Sequence, residues 1–482
     1  MSKTIDVRRL VPWIVFTIFF AVLNETVFNV STPVIANRFG LTAAEVSWVM
    51  TTFIIFFGVG AVIYGKLSDI YSLRTLIVFG ILLYATGSIL GFLFQFSYPA
   101  VVAARGLQGA GASAIPALVN VIVARYFPIA ERGRIFGTIT STVAFAIGVG
   151  PVVGGFVSGS LHWSLLFLIP VFTLIAVRPY LRILSAEERR AGTVDIPGAL
   201  FIALGVGTLM LFLTMGNWRY LAASVVLLIA FVADALLSKH PFIDLALLKN
   251  RAFRLRVLAG FLVFSVVTGV LFVMPLMLTS LGGLSATKIG FVLFPGAITA
   301  ALIGRTGGRL ADSRGNGFVV AIGLAALAAS FLALSSVLGA SPVFIGAILI
   351  LMYVGFNLTQ TALINSVSQT LDEGDTGVGM GLFNLATFLS SAIGTAVVGN
   401  YLQGGGLPFL LNPLADAAEA APYSNLLVLF TLLILVGGGL YYASARKRAE
   451  TSRSASEPFG PARMSEDCLA AARAGRLVPG CD

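Results

Sequence analysis

Two of the 21 acidic residues in this 482-residue chain, Glu25 and Asp234, fall inside long apolar runs, and Arg105 is the one basic residue of 31 so placed. Asp69, Glu131, Asp195, Asp312, Asp372 and the others lie in the polar breaks, at run ends or in the tail. Holding Asp, Lys or Arg at the centre of a membrane helix costs about 2.5–3.5 kcal/mol, so a residue kept there usually lines the interior of a bundle and acts there. Asp234 stands near the end of its run, from which a carboxylate reaches water. Glu25 has no such escape. A buried carboxylate in a cavity alternately wet and dry loads and releases a proton.

The elements that must hold these residues follow from composition. Hydrophobic residues make up 57% of the chain and charged ones 11%, against about 25% charged in soluble domains, and the mean hydropathy is +0.95. Apolar runs near the ~20 residues needed to cross a bilayer recur throughout. They predict an all-α polytopic membrane protein with fourteen spans, near residues 10–30, 46–65, 75–95, 98–121, 135–158, 162–182, 197–215, 218–238, 256–280, 286–308, 318–338, 342–365, 377–401 and 423–444. Long continuous runs exclude an outer-membrane barrel, whose strands alternate. The first run reads as a retained helix rather than a signal peptide, being too long for a signal h-region. Cys468 and Cys481 lie in the polar tail and His162 and His240 are far apart, so neither a disulfide framework nor a metal site is expected. No Gly-x-x-x-x-Gly-Lys-Ser/Thr string is present to drive a nucleotide-powered pump.

An even number of spans puts both termini on one side. That side carries 27 of the 31 Lys and Arg, and the other carries Arg38, Arg219 and Lys288, so the positive-inside rule makes both termini cytoplasmic. The net charge of +10 is then a topology signal rather than a surface for nucleic acid. Internal repetition is visible as well. Gly65-Lys-Leu-Ser-Asp69 after the second span recurs as Gly308-Arg-Leu-Ala-Asp312 after the tenth, and Ala146-Ile-Gly148 recurs as Ala392-Ile-Gly394. Two six-helix halves, 1–185 and 246–445, flank an inserted pair of helices in 186–245, and 446–482 is expected to be a disordered cytoplasmic tail. Parallel halves of this kind place a substrate cavity near the bilayer midplane and rock around it.

Gly65-Lys-Leu-Ser-Asp69-Ile-Tyr-Ser-Leu-Arg74 resembles the loop motif of the major facilitator superfamily, and Arg105-Gly-Leu-Gln108-Gly-Ala-Gly111 its fourth-helix motif. Gly150-Pro151-Val-Val-Gly154-Gly155 and Leu23-Asn-Glu25-Thr-Val-Phe-Asn29-Val-Ser-Thr-Pro33 resemble the fifth- and first-helix motifs of its drug:proton antiporters. Within that group the chain is most similar to the fourteen-helix tetracycline efflux proteins of Gram-positive bacteria, through strings such as Gln108-Gly-Ala-Gly-Ala112 and His162-Trp163-Ser164. Those exporters carry glutamates where this chain has Ile147 and Ser391.

The resemblance implies a major facilitator fold in which helices 1 and 4 face the cavity. Glu25 and Arg105, roughly 8 and 10 Å from the outer ends of their helices at 1.5 Å per residue, are then expected to be neighbours and to couple protons. The competing reading is a static pair orienting two helices. Gln108 and Asn120 in helix 4 and Asn357 and Gln360 in helix 12 are the candidate substrate contacts, with interhelical hydrogen bonding as the alternative for each. Asp69 is expected to cap a neighbouring helix or pair with Arg74 or Arg134, and Asp312 to do the same with Arg309 or Arg314, latching the halves. Gly150, Pro151, Gly154 and Gly155 permit close helix contact and bending. The expectation is a monomeric, multi-pass exporter of tetracycline-like or other amphipathic drugs in a bacterial cytoplasmic membrane, exchanging drug for protons without a cofactor or metal. A proton-coupled exporter of an endogenous metabolite and an uptake symporter stay open. An enzyme would need a nucleophile and base within the spans, and none is seen.

Overall fold

A computed structural model of the chain describes residues 7–41, 43–184, 195–238, 241–243, 246–284, 286–372, 374–403, 407, 409–413 and 420–456. The described residues contain helices and no strand, as hydrocarbon demands of a chain that must satisfy its backbone within each span. Fourteen helices are long and apolar enough to cross a membrane. They are numbered α1 (Arg8–Phe28), α2 (Trp48–Ile70), α3 (Leu73–Leu93), α4 (Tyr98–Tyr126), α5 (Ile129–Ser160), α6 (Trp163–Ile183) and α7 (Ile196–Met215). The others are α8 (Trp218–Leu237), α9 (Arg251–Ser280), α10 (Lys288–Arg314), α11 (Asn316–Ser336), α12 (Pro342–Ser368), α13 (Thr376–Leu402) and α14 (Ala421–Ser444). Helix continues from α1 to Phe39 and from α14 to Ser456. Residues 446–456, the first part of the tail expected to be disordered, continue this helix. The tail past 456, with both cysteines, and His240 lie outside the described residues.

Local sequence explains the irregular spans. The α4 helix is interrupted at Ser113, between helical segments Tyr98–Ala112 and Ala114–Tyr126, three residues before Pro116, which has no N–H to give. The first part of α6, Trp163–Ala176, is wound as 3-10 helix around Pro170. Side-chain oxygens take up orphan N–H groups at several starts: Asp195 accepts from Gly198, Asn217 from Arg219, and Asn250 from Ala252 and Phe253. Asp195 also accepts from Phe242 N–H. Burial works against its charge, but these two backbone donors prevail and hold its pKa below the usual carboxylate value.

The first six and last six helices meet along two seams on the side where α1 begins and α14 ends, here called the terminal face. Each seam is built from glycine. At the α5–α10 seam a Cβ on Gly137 would overlap the Gly304 carbonyl, and one on Gly308 would overlap the Gly133 carbonyl. At the α2–α13 seam a Cβ on Gly65 would sit 2.7 Å from the Gly377 carbonyl and 3.0 Å from Gly381 Cα. These are the same contacts repeated: Gly65 and Gly308 differ by 243, and Gly133 and Gly377 by 244, as do Gly137 and Gly381. Small residues let two helix backbones approach, which in a membrane substitutes packing and interhelical hydrogen bonds for a hydrophobic drive. The largest buried apolar cluster runs through the first six helices and crosses to Ile364, Val367, Val378, Met380 and Phe383, while a second fills the last six.

The inserted pair lies to one side. α8 packs on α7, and α7 packs on α2 and, less extensively, on α13. Phe242 and Ile243, following α8, are buried in the core of the first six helices, and Lys66 Nζ reaches the Pro241 carbonyl at 3.4 Å. Because the seams tolerate no methyl group, Gly308→Val is expected to push α5 and α10 apart. The overpacking cost of about 1–3 kcal/mol should lower the thermal unfolding midpoint of the purified protein, whereas Gly290→Ala, with open space around it, should leave that midpoint near wild type.

Candidate transport site

The charged centre of the first six helices is Arg105, which is fully buried. Glycines of its own motif make room for it. A Cβ on Gly109 would overlap the Phe53 carbonyl of α2, and one on Gly111 would overlap the Tyr84 backbone nitrogen of α3, so α4 lies against both neighbours with Arg105 inside. The guanidinium is sandwiched between the Phe28 ring of α1 and the Phe53 ring of α2, with Cζ 4.2 Å from each centroid. Its Nε donates to the Val49 carbonyl at 3.0 Å, and Nη1 to Asn24 Oδ1 at 3.0 Å and Gln108 Oε1 at 2.9 Å. Gln108 Nε2 in turn donates to Ser88 Oγ of α3 at 2.8 Å. One arginine thus ties α1, α2, α3 and α4 together.

Glu25 stands next to this centre but makes no ion pair within 4 Å of Arg105 among the described residues. The expected partner position is filled by Asn24, which lies about 100° round α1 from Glu25 at 3.6 residues per turn. Among the described residues Glu25 accepts no hydrogen bond, and it is only partly buried. Asn24, missed in the sequence reading, is fully buried, and its Nδ2 has no partner among the described residues. Its adjacency to Glu25 was the available signal. Helix 1 is pressed into place by α5: a Cβ on Gly150 would overlap the Thr26 side chain, and one on Gly154 would lie 2.7 Å from the Val27 carbonyl. Gly155 is exposed on the other side of α5. Pro151 sits within α5 between these contacts. Gly394 repeats the arrangement in α13, where a Cβ would overlap the Ser265 carbonyl of α9.

The four amides nominated as substrate contacts separate into two groups. Gln108 is fully buried and spent on Arg105 and Ser88. Asn120 donates to Asn384 Oδ1 across the α4–α13 contact at 3.1 Å. Asn357 faces Thr140 of α5, whose hydroxyl is 3.5 Å from Asn357 Oδ1 and 2.6 Å from Thr361 Oγ1. These last two are bridges between the first and last six helices, and Thr140 and Asn384 are themselves related by the 244 offset. Gln360 is half-buried and makes no side-chain hydrogen bond among the described residues. It shares a face of α12 with Tyr353, seven residues earlier.

On the terminal face the two repeated aspartates each accept backbone N–H groups near the start of a helix from the opposite set. Asp69 accepts from Gly377 and Val378 N–H at the start of α13, at 3.0 and 3.1 Å. Asp312 accepts from Gly133 and Arg134 N–H near the start of α5, at 2.8 and 2.7 Å. The arginine partners differ from those anticipated. Asp69 pairs with Arg125 at the end of α4, which packs beside α2, whereas Arg74 belongs to the first turn of α3. Arg134 lies 4.0 Å from Glu131, and Arg314 lies over the Phe318 ring. Above the caps, Phe57 and Phe388 meet across the α2–α13 seam with centroids 4.5 Å apart. The equivalent positions on the other seam are Ala300 and Ala144.

Residues 14–395 match the family model of the Major Facilitator Superfamily, and the chain belongs to that family of membrane transporters. It is 28% identical over 403 residues to the riboflavin transporter RibZ of Clostridioides difficile, a match covering 81% of this chain and 88% of that one. It is 24% identical over 383 residues to the multidrug transporter protein MdtP of Bacillus subtilis, covering 77% and 70%. The match to the uncharacterized transporter YcnB of Bacillus subtilis is 25% identical and covers 62% of this chain and 65% of that one. Among solved structures, the human organic anion transporter MFSD10 (TETRAN) shares the fold, with a TM-score of 0.66, 17% sequence identity, and 90% of this chain and 99% of that one covered.

Arg105→Lys is expected to behave as a loss rather than a conservative change. A single ammonium does not reproduce the planar fork, and each buried acceptor left unpaired costs about 1–3 kcal/mol. Thermal melts of the purified variant should fall with those of Arg105→Ala, and a melt matching wild type would contradict the bracing role.

Proposed function

We propose that this chain exports amphipathic drugs in exchange for protons by alternating access, as a monomer with both termini in the cytoplasm of a bacterial cell. The observation that carries the reading is Glu25, a carboxylate inside a membrane helix with no hydrogen-bond partner among the described residues, beside a guanidinium whose Nε and Nη1 are already held by Asn24, Gln108 and Val49. A static ion pair would use the two charges on each other; this geometry leaves the carboxylate able to take a proton or a cationic group when water reaches it. One charge moved across 100 mV is worth about 2.3 kcal/mol, enough for more than tenfold concentration of substrate per proton. In this reading the caps at Asp69 and Asp312 hold the cytoplasmic side shut, the outward-facing arrangement, and a cargo meets Gln360 and Tyr353 of α12. The likeness to MdtP and the fifth-helix glycine motif support drugs as cargo, and the resemblance to tetracycline exporters makes tetracycline the first compound to test.

The second reading is proton-coupled transport of an endogenous metabolite, favoured by the likeness to RibZ. In inverted vesicles the drug reading expects proton release on addition of ethidium or tetracycline-magnesium, abolished by Glu25→Gln and retained by the same change at Glu45, an exposed residue of the short helix Ala43–Val46 that precedes α2. Response to neither drug, with response to riboflavin, would select the metabolite reading. Proton movement in the opposite sense would select uptake.

Releasing the caps tests the gate separately. Asp69→Asn with Asp312→Asn should weaken both closures, so in a background carrying Cys468→Ser and Cys481→Ser to remove the tail thiols, Thr361→Cys is expected to label several-fold faster with a membrane-impermeant thiol reagent applied at the terminal face. An unchanged labelling rate would remove the aspartates from the gate.

A further inference from the structure

The two seams are dressed differently on their outer sides. Outside the α2–α13 seam, α7 lies against both helices, Val62 is 2% exposed, and Lys66 Nζ is bound by the Pro241 carbonyl. At the positions related to these by 243, α10 carries Arg305 and Arg309. Both are exposed, as is Thr306 between them, and Leu302, one turn earlier on the same face, is 75% exposed. Neither α7 nor α8 packs comparably on α5 or α10. Among the described residues neither guanidinium makes a hydrogen bond or an ion pair. The charges around them are otherwise engaged: Asp312 faces inward on the Gly133 and Arg134 N–H groups, Glu131 binds Arg8 at 2.6 Å and lies near Arg134, and Arg314 covers Phe318.

Arg305 lies about 14 Å along the helix before Arg314, at 1.5 Å per residue. An arginine at that depth on a bare face extends along the apolar surface toward the headgroups. Two such residues one turn apart offer paired forks to a phosphate. We propose that an anionic phospholipid in the leaflet on the terminal side seats here, its phosphate held by Arg305 and Arg309 and an acyl chain along Leu302, covering on the α5–α10 seam what α7 and the 241–243 segment cover on the other. Basic surfaces between helices select anionic headgroups in this way. The lipid braces α10 on the side away from α5, behind the helix that delivers Asp312 to its cap.

The test is native mass spectrometry of the full chain with phosphatidylglycerol and with phosphatidylcholine, alongside cross-linking by a photoactivatable phosphatidylglycerol. Wild type is expected to retain one phosphatidylglycerol more tightly than any phosphatidylcholine, cross-linked within 302–309. R305Q/R309Q should weaken that adduct about thirty-fold, two charges' worth, each single variant by an intermediate amount, and Lys66→Gln should leave it intact. Equal retention of the two lipids, an unchanged adduct in the double variant, the same loss in Lys66→Gln, or displacement by inorganic phosphate alone would each overturn the assignment. Both arginines are exposed, so variants that elute and melt as wild type separate lost binding from misfolding.

Discussion

The first N–H groups of a helix have no partner within it. At the start of α13 two of them are taken by Asp69, and in the second turn of α5 the N–H groups of Gly133 and Arg134 are taken by Asp312, each aspartate reaching in from the opposite set of six helices. The closed terminal face depends on this exchange. Each carboxylate is delivered at the end of a helix whose glycines lie directly on the helix being capped, so close packing and capping enforce the same register. Moving either seam by a fraction of a turn would strand the carboxylate and the N–H groups together, in surroundings where an unpaired polar group costs free energy. The closure is therefore cooperative, even though no single contact in it is large.

The closures are similar in backbone and unequal in side chains. Asp69 has Arg125 beside it, and the position related to Arg125 in α12 is Ser368. Phe57 and Phe388 reinforce the same seam, and α7 covers it. The α5–α10 seam has alanine, glycine and serine in place of rings. The two sides thus share a backbone arrangement at the 243–244-residue offset and differ in the side chains set on it.

Much of this was legible in the residue order because it depends on strings that recur. The 243-residue offset identified Asp69 and Asp312 as equivalent, and their place after apolar runs pointed to helix capping. The partners were not legible: Arg74 and Arg134 are near in sequence or topology, but Arg125 reaches Asp69 because α4 ends beside α2. Glu25 and Arg105 were found from charge within apolar runs and stand near one another, but one residue's rotation about α1 puts Asn24, not Glu25, in hydrogen-bonding contact with the guanidinium. The amides could not be sorted beforehand. Asn120 and Asn357 bridge helices far apart in sequence, and nothing in their own neighbourhood distinguishes them from Gln360.

The sandwich of Arg105 between Phe28 and Phe53 has a mechanical consequence. A guanidinium clamped by rings on two helices and hydrogen-bonded to side chains or carbonyls of α1, α2 and α4, with Gln108 extending the chain to α3, acts as a rivet through four helices. Relative sliding of any one of them would shear several bonds at once. Deformation is thereby driven out of the interior of this group and into its edges, so whatever movement the molecule makes is concentrated where glycine faces glycine.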